Sequence, residues 1–227
     1  MTESAALLPA VELETGPVPD AAVIWLHGLG ADGNDFVPIV EELPLPPGLA
    51  LRFVFPHAPV RAVTINNGIR MRAWYDILAA DFTARADLAG VRESQQQVEA
   101  LIRREQDRGI APGRIVVAGF SQGGAIALHA GLRHAGRLAA VIALSTYLVD
   151  PDSLPAEASA ANRDVPVFMA HGTQDPVVRF AWGDASRRSL AAMGYAVEWH
   201  SYPMPHAVVW EEIAAIGAFL GRVLARG

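Results

Sequence analysis

The sequence of 227 residues contains no cysteine and no lysine, and all 18 basic residues are arginine. The absence of cysteine excludes disulfides, thiolate metal sites and a cysteine nucleophile. The absence of lysine excludes a Walker-type phosphate-binding loop, a Schiff-base lysine and a Ser–Lys catalytic dyad. The seven histidines are therefore the only side chains whose ordinary pKa lies near neutral pH.

Charge and long apolar runs are also scarce. Charged residues make up 19% of the chain and the formal net charge is −6, which argues against nucleic acid or an anionic membrane as a main partner. No apolar run approaches the roughly 18 residues of a membrane span, and residues 1–16 carry no basic residue ahead of an apolar stretch. We therefore expect no signal peptide, no stable membrane insertion and a cytoplasmic location.

Short apolar runs alternate with helical patterns along most of the chain. Buried strands are predicted at residues 23–26, 51–55, 115–118, 138–144, 165–170 and 196–202. Helices are predicted at residues 35–43, 88–108, 122–133, 183–193 and 208–225. This alternation predicts one α/β domain over residues 1–227, with a mostly parallel twisted sheet and helices on both faces.

Residues 57–80 interrupt the alternation. Two apolar runs, residues 60–65 and 69–74, flank Asn66-Asn67-Gly68, which is a strong signal for a hairpin turn. We interpret the segment as a hairpin-like loop excursion over the active-site face of the sheet. Residues 151–164 are rich in proline, alanine and serine and are expected to form a surface connection.

A candidate nucleophile stands in residues 119–123, which read Gly-Phe-Ser-Gln-Gly and match the G-x-S-x-G pattern. A predicted strand precedes the pattern and a predicted helix follows it, as in a nucleophile elbow. A simple helix N-cap would also use Ser121, but it would not need Gly119. The sequence therefore predicts Ser121 as the nucleophile and the backbone N–H of Gln122 as a donor to the oxyanion.

A serine nucleophile needs a base that is itself oriented, and in this architecture the acid and the histidine follow later strands. Asp175 follows the fifth predicted strand, although an aspartate in a turn before proline is the alternative. Asp150 and Asp184 are its rivals; the former follows the preceding strand, and helix capping explains the latter. His206 follows the last predicted strand, at the carboxyl end of the sheet where ligands bind in open α/β folds.

The other histidines have simpler interpretations. His200 lies inside the last predicted strand and is expected to pack, as are His129 and His134 on the helix after the nucleophile. His27 and His171 each end a strand just before glycine and are expected to make structural hydrogen bonds. No pair of histidines has the spacing of a H-E-x-x-H site, so no catalytic metal is expected.

The loop after the first predicted strand is rich in glycine. Gly28, Gly30 and Gly33 form a literal G-x-G-x-x-G, but no acidic residue ends the next strand, as a dinucleotide site would require. We interpret residues 27–30 instead as the loop that supplies the second oxyanion donor, the backbone N–H of Leu29. No cofactor is expected.

Five strings carry a resemblance to a known family: residues 25–33, 73–77, 119–124, 171–178 and 202–206. In this order they resemble the carboxylesterase / acyl-protein thioesterase / lysophospholipase family, whose members are small α/β-hydrolases without a large cap domain. The resemblance implies Ser121 as nucleophile, His206 as general base and acid, and Asp175 as its orienting partner. It also favours a homodimer.

The resemblance further implies a hydrophobic acyl pocket. Its expected residues are Leu78, Tyr147, Val177 and Trp182. Tyr147 stands where the eukaryotic thioesterases tend to have tryptophan, Trp182 where they have phenylalanine, and Arg179 where the family usually has proline. These differences alter the pocket and leave the predicted catalytic residues untouched.

The sequence thus predicts a serine carboxylesterase that hydrolyses a small-molecule ester of short to medium chain length through an acyl-enzyme. An acyl-protein thioesterase or a lysophospholipase is the alternative, because the same catalytic residues serve both reactions. A non-catalytic acyl-binding module is a third hypothesis, which the complete set of catalytic residues disfavours.

Overall fold

The computed structural model describes residues 7–81 and 86–225. Within them, the strands in chain order are β1 (Ala10–Glu14), β2 (Ala21–Leu26), β3 (Leu51–Pro56), β4 (Val60–Val63), β5 (Ile69–Arg72), β6 (Ile115–Phe120), β7 (Ala140–Leu144), β8 (Val167–Gly172) and β9 (Val197–Tyr202). The helices are α1 (Ile39–Glu42), α2 (Leu88–Asp107), α3 (Gln122–Arg133), α4 (Leu154–Glu157), α5 (Phe180–Ala192) and α6 (Trp210–Val223).

Seven strands form the central sheet, in the order β1-β3-β2-β6-β7-β8-β9. All neighbours in it are parallel except β1, which pairs antiparallel with β3 at the edge. Because β2, β6, β7, β8 and β9 run in the same direction, the loops that follow them meet at one edge of the sheet. The mostly parallel sheet confirms the sequence prediction.

The strand β1 was missed by the sequence analysis. Its five residues include two glutamates, and each glutamate forms salt bridges with arginine. Glu14 binds Arg52 at 2.8 Å, and Glu12 binds Arg104 and Arg108 of α2 at 2.9 and 2.7 Å. Val11 and Leu13 alternate with the two glutamates and pack on the core, and the backbone of β1 pairs with β3, a partner distant in sequence.

Apolar side chains fill both faces of the sheet. On one face α2, α3 and α5 pack through residues such as Val98, Ile126 and Leu190. On the other face α1 and α6 pack through Ile39 and Ile216. The helices on both faces explain why the central strands are apolar along their whole length.

The structure departs from the prediction in segments 35–43 and 151–164. The predicted helix at 35–43 is a helix only over α1, because the residues before it make the shorter hydrogen bonds of turns, such as Val37 N–H to Asn34 O at 3.3 Å and Ile39 N–H to Phe36 O at 3.1 Å. The connection at 151–164 contains the short helix α4 and a 3₁₀ turn at Ala160–Asn162. In the part of the chain described, no helix combines the length and the apolar character that crossing a membrane requires.

The predicted hairpin is present as β4 and β5. Its turn has positive φ at both Asn67 (54°) and Gly68 (74°), and the Gly68 N–H donates to Val63 O at 3.0 Å. The hairpin lies against the glycine-rich loop after β2, because the Gly30 N–H donates to Arg72 O at 2.9 Å. The segment is thus an excursion that packs on the loop edge of the sheet.

Glu212 in the first turn of α6 is fully buried, and neither carboxyl oxygen makes a hydrogen bond of normal geometry. Burial raises its pKa from 4.5 to about 8, while the nearby Val209 amide lowers it slightly. The folded state therefore keeps the proton that the unfolded chain releases above about pH 4.5, so the free energy of unfolding falls as pH rises to about 8.

Glu212→Gln is expected to remove this pH dependence. Between pH 5 and pH 8 its free energy of unfolding should fall by about 3 kcal/mol less than that of the wild type. Urea denaturation at several pH values measures the difference. Glu211→Gln, at the exposed neighbouring position, is the matched control and should leave the pH dependence unchanged; equal slopes for wild type and Glu212→Gln would contradict the prediction.

Candidate active site

Ser121 sits in a sharp turn between β6 and α3. Its backbone has φ 55° and ψ −120°, a conformation that side chains rarely adopt. Three hydrogen bonds hold it: the Ser121 N–H donates to Leu144 O at 2.8 Å, and its carbonyl accepts from the Ala125 N–H at 3.1 Å and the Thr146 hydroxyl at 2.6 Å. The strand, strained turn and helix that the sequence pattern predicted are therefore present around Ser121.

The glycines around Ser121 are required by close backbone contacts. A Cβ at Gly119 would lie 2.3 Å from Gly123 O, and a Cβ at Gly123 would lie 2.3 Å from Leu26 O. These contacts join β6, β2 and the start of α3, so the turn forms only without side chains at both positions.

Gly123→Ala is expected to destabilise the fold by about 3 kcal/mol, because the new methyl group meets backbone that cannot move aside. Thermal unfolding measures the effect. Gly113→Ala is the matched control, since a Cβ there has no atom within 4 Å and φ is not positive. Similar melting temperatures for the two variants would contradict the prediction.

Asp175 lies in the loop after β8, and both of its oxygens are engaged. Oδ2 lies 2.6 Å from His206 Nδ1, and Oδ1 accepts the N–H groups of Val177 and Val178 at 2.8 and 2.9 Å. Burial raises the pKa of this carboxyl, but hydrogen bonds from His171, His206 and the Val177 amide outweigh burial and hold the pKa well below its usual range. The carboxylate is therefore ionised, and His206 Nδ1–H donates to it.

The structure brings the three predicted catalytic residues to the same edge of the sheet. The His206 ring packs against Phe120, the residue before Ser121, with ring centroids 4.6 Å apart. In a neutral imidazole whose Nδ1–H donates to Asp175, the other ring nitrogen Nε2 is the atom that can accept a proton.

The glycine-rich loop reaches the same point. A Cβ built on Gly28 would lie 3.6 Å from Ser121 Cβ, so this loop borders the serine. Leu29 occupies the second position of a turn closed by Ala31 N–H and Gly28 O at 3.3 Å, with φ 78° at Gly30. The Leu29 N–H takes no part in the hydrogen bond that closes this turn. The Gln122 N–H, in the first turn of α3, likewise has no partner within its helix. Both predicted donors therefore lie beside the serine.

Sequence analysis missed a second function of Gln122, which comes from its side chain. Its Oε1 accepts the Trp74 N–H at 2.8 Å, and its Nε2 donates to Tyr75 O at 2.7 Å. The Trp74 indole N–H donates to His27 O at 2.9 Å. The segment that follows the hairpin is thus bound to both sides of the elbow. The motifs that contain Tyr75 and Gln122 are visible in the sequence, but the hydrogen bond between these residues, 47 positions apart, is not.

Of the residues expected to line an acyl pocket, two are in contact with each other. Trp182 packs edge-on against Tyr147, with ring centroids 6.3 Å apart, and the Tyr147 hydroxyl lies 2.8 Å from that of Tyr75. Leu78 is half-buried and Val177 is 48% exposed. Trp182 also lines a cavity of about 280 Å³ between the loop after β7 and α5. The pocket therefore stays a prediction.

The rival residues have other partners. Asp150 accepts a hydrogen bond from the Ser153 hydroxyl at 2.6 Å, and Asp184 binds Arg187 at 2.6 Å. His200 stacks on Phe168 with ring centroids 5.0 Å apart, as its position inside a strand suggested. Within residues 7–81 and 86–225, no group of three or more acidic or histidine side chains could hold a metal ion.

Comparison with known proteins identifies the family of the chain. A family model described as Phospholipase/Carboxylesterase matches residues 9–224. The chain belongs to this family. Acyl-protein thioesterase 1 of Neurospora crassa is 42% identical over 225 residues, covering 94% of this chain and 89% of the relative. The enzyme of the same name from Yarrowia lipolytica is 38% identical over 213 residues, covering 92% and 94%.

Solved structures show the same fold. SOBER1 of Arabidopsis thaliana superposes with a TM-score of 0.85 at 30% identity, covering 90% of this chain and 99% of that chain. Acyl-protein thioesterase 2 of Zea mays has a TM-score of 0.81 at 28% identity, covering 96% and 100%. The chain therefore has the α/β-hydrolase fold without a large cap domain and, as a member of the phospholipase/carboxylesterase family, is a hydrolase.

Proposed function

We propose that this protein is a serine hydrolase that removes acyl groups from thioesters, with Ser121 as nucleophile, His206 as general base and acid, and Asp175 as the orienting acid. The observation that carries the proposal is the 2.6 Å hydrogen bond between His206 Nδ1 and Asp175 Oδ2, beside the elbow that holds Ser121. This bond leaves one tautomer of His206, with Nε2 free to take the serine proton.

The reaction proceeds in two steps. His206 Nε2 accepts the Ser121 proton while the serine oxygen attacks the substrate carbonyl, and the backbone N–H groups of Leu29 and Gln122 stabilise the oxyanion. The leaving group departs with the proton from His206, and an acyl-enzyme remains. Water, activated by the same imidazole, then releases the acid.

The thioester preference rests on the relatives, since those named acyl-protein thioesterase 1 match more than nine-tenths of this chain at about 40% identity. A thiol leaves far more readily than an alcohol because its pKa is only about 8.5. A serine hydrolase with this arrangement can therefore cleave both thioesters and oxygen esters, and the acyl pocket determines which substrate is preferred.

A short-chain carboxylesterase is the second candidate, and one observation favours it. The large Trp182 ring packs on Tyr147, so two bulky aromatic side chains meet where the resemblance places the acyl group. Such a wall shortens the space for an acyl chain.

Kinetics on matched substrates test the two candidates. We expect kcat/KM for a palmitoyl thioester of a short peptide to exceed that for p-nitrophenyl acetate. A series of p-nitrophenyl esters from acetate to palmitate measures the preferred chain length. A maximum at acetate or butyrate, with slow thioester cleavage, would replace the thioesterase proposal by the carboxylesterase. Ser121→Ala is the control that assigns the turnover to this site.

A further inference from the structure

The His27 side chain lies under the loop that borders Ser121. It is 1% exposed, and both ring nitrogens have partners. Nδ1 lies 2.7 Å from Gly28 O, and Nε2 lies 3.1 Å from the Ala58 N–H. The ring also packs on Trp74, with ring centroids 5.3 Å apart.

These two partners select one protonation state of the imidazole. The Ala58 N–H can only donate, so Nε2 must accept and carries no proton. The proton therefore resides on Nδ1 and is donated to Gly28 O. Burial lowers the pKa of His27, and this effect outweighs the hydrogen bond to Gly28 O and the charge of Asp32, which both raise the pKa; His57 and Arg72 add to the lowering.

The hydrogen bond to Gly28 O has a consequence for Leu29. The Gly28 carbonyl and the Leu29 N–H belong to one trans peptide unit, because the described residues contain no cis peptide bond. In a planar trans unit the C=O and the N–H point in opposite directions. Gly28 O also accepts the Ala31 N–H at 3.3 Å, so the imidazole, at 2.7 Å, is the closer of the two donors that fix the direction of the Leu29 N–H.

We propose that His27 is a positioning residue for the oxyanion hole: its Nδ1–H holds Gly28 O and so aims the Leu29 N–H at the oxyanion formed on Ser121. The inference rests on the proposed function, since it assigns a task within the same reaction. His27 touches no reacting atom and acts only through the peptide unit between residues 28 and 29.

Two substitutions separate the two hydrogen bonds of His27. In His27→Asn the side-chain amide N–H can occupy the position of Nδ1 and donate to Gly28 O, but the bond to Ala58 is lost. In His27→Gln the side-chain oxygen can occupy the position of Nε2 and accept from Ala58, but the donor to Gly28 O is lost. The variants thus distinguish aiming of the peptide unit from general support of the fold.

We expect His27→Gln to lower kcat by about 10- to 100-fold with KM nearly unchanged, because the loss affects only the charged intermediate. His27→Asn should retain kcat within about threefold of the wild type. An aryl trifluoromethyl ketone, which forms an oxyanion on the serine, should bind His27→Gln more weakly by a factor similar to the loss of kcat.

Other outcomes overturn the proposal. Unchanged kcat in His27→Gln, or equal losses in both variants that follow their melting temperatures, would show that His27 only supports the fold. If Ser121→Ala kept its turnover, the proposed function itself would be wrong. If Ser121→Ala were inactive while His27→Gln had full activity, only the positioning role would be wrong.

Discussion

Ser121→Ala is expected to lower kcat by a factor on the order of 10⁶ on any ester or thioester that the protein hydrolyses. The substitution removes the oxygen that would form the acyl-enzyme and leaves the backbone donors of Leu29 and Gln122 in place. Residual turnover should therefore stem from binding and oxyanion stabilisation alone. Steady-state kinetics and labelling by a fluorophosphonate measure the effect, and the variant should not be labelled.

Ser145→Ala is the matched control for this experiment. Ser145 is also buried and also has a positive φ, 46°, but it follows β7 and its hydroxyl has no hydrogen-bond partner in the part of the chain described. We expect this variant to keep its activity and its labelling. A loss of less than tenfold in Ser121→Ala would mean that another group is the nucleophile.

Asp175→Asn is expected to lower kcat by about 10⁴-fold while the fold persists. The new amide oxygen can still accept the N–H groups of Val177 and Val178, which places the NH₂ group opposite His206. Nδ1 of the imidazole must then accept, so its proton moves to Nε2. The ring is left in the tautomer that cannot take a proton from Ser121.

Asp184→Asn provides the comparison, because Asp184 lies on α5 and binds Arg187 and Arg188 rather than a histidine. Its kcat should stay within about threefold of the wild type. The pair is measured by kcat at neutral pH, with circular dichroism as the check on folding. Comparable kinetics for the two variants would remove Asp175 from the reaction.

Much of the sheet could be predicted because its strands are buried on both faces. The six predicted strands are all present, four of them as continuous apolar runs, and the Asn67-Gly68 turn identified the hairpin. The edge strand β1 was missed although Val11 and Leu13 alternate with its two glutamates, because one short alternation does not show that its pairing partner β3 lies far along the chain. The over-long helix at 35–43 arose because its first residues form turns with bonds between residues three apart, which apolar spacing does not distinguish from an α-helix.

The residues of the candidate site could be predicted from the sequence, but their supporting contacts could not. Motifs indicated Ser121, Asp175 and His206 because the chemistry needs each of them just after a strand of the same sheet. The contacts that support them were not predictable: His27 meets Ala58 in the loop after β3, and Gln122 meets Trp74 after the hairpin, in each case across a long stretch of chain. Hydrogen bonds from side chain to distant backbone leave no periodic pattern in a sequence.

The strained backbone at Ser121 lowers the stability of the folded protein. Its φ and ψ lie in a region that glycine occupies freely and serine does not, at a strain of about 1–3 kcal/mol. Ser121→Gly should therefore melt at a higher temperature than the active protein, although it cannot form an acyl-enzyme. The proposed nucleophile therefore lowers the stability of the fold, as is expected where activity requires a strained backbone.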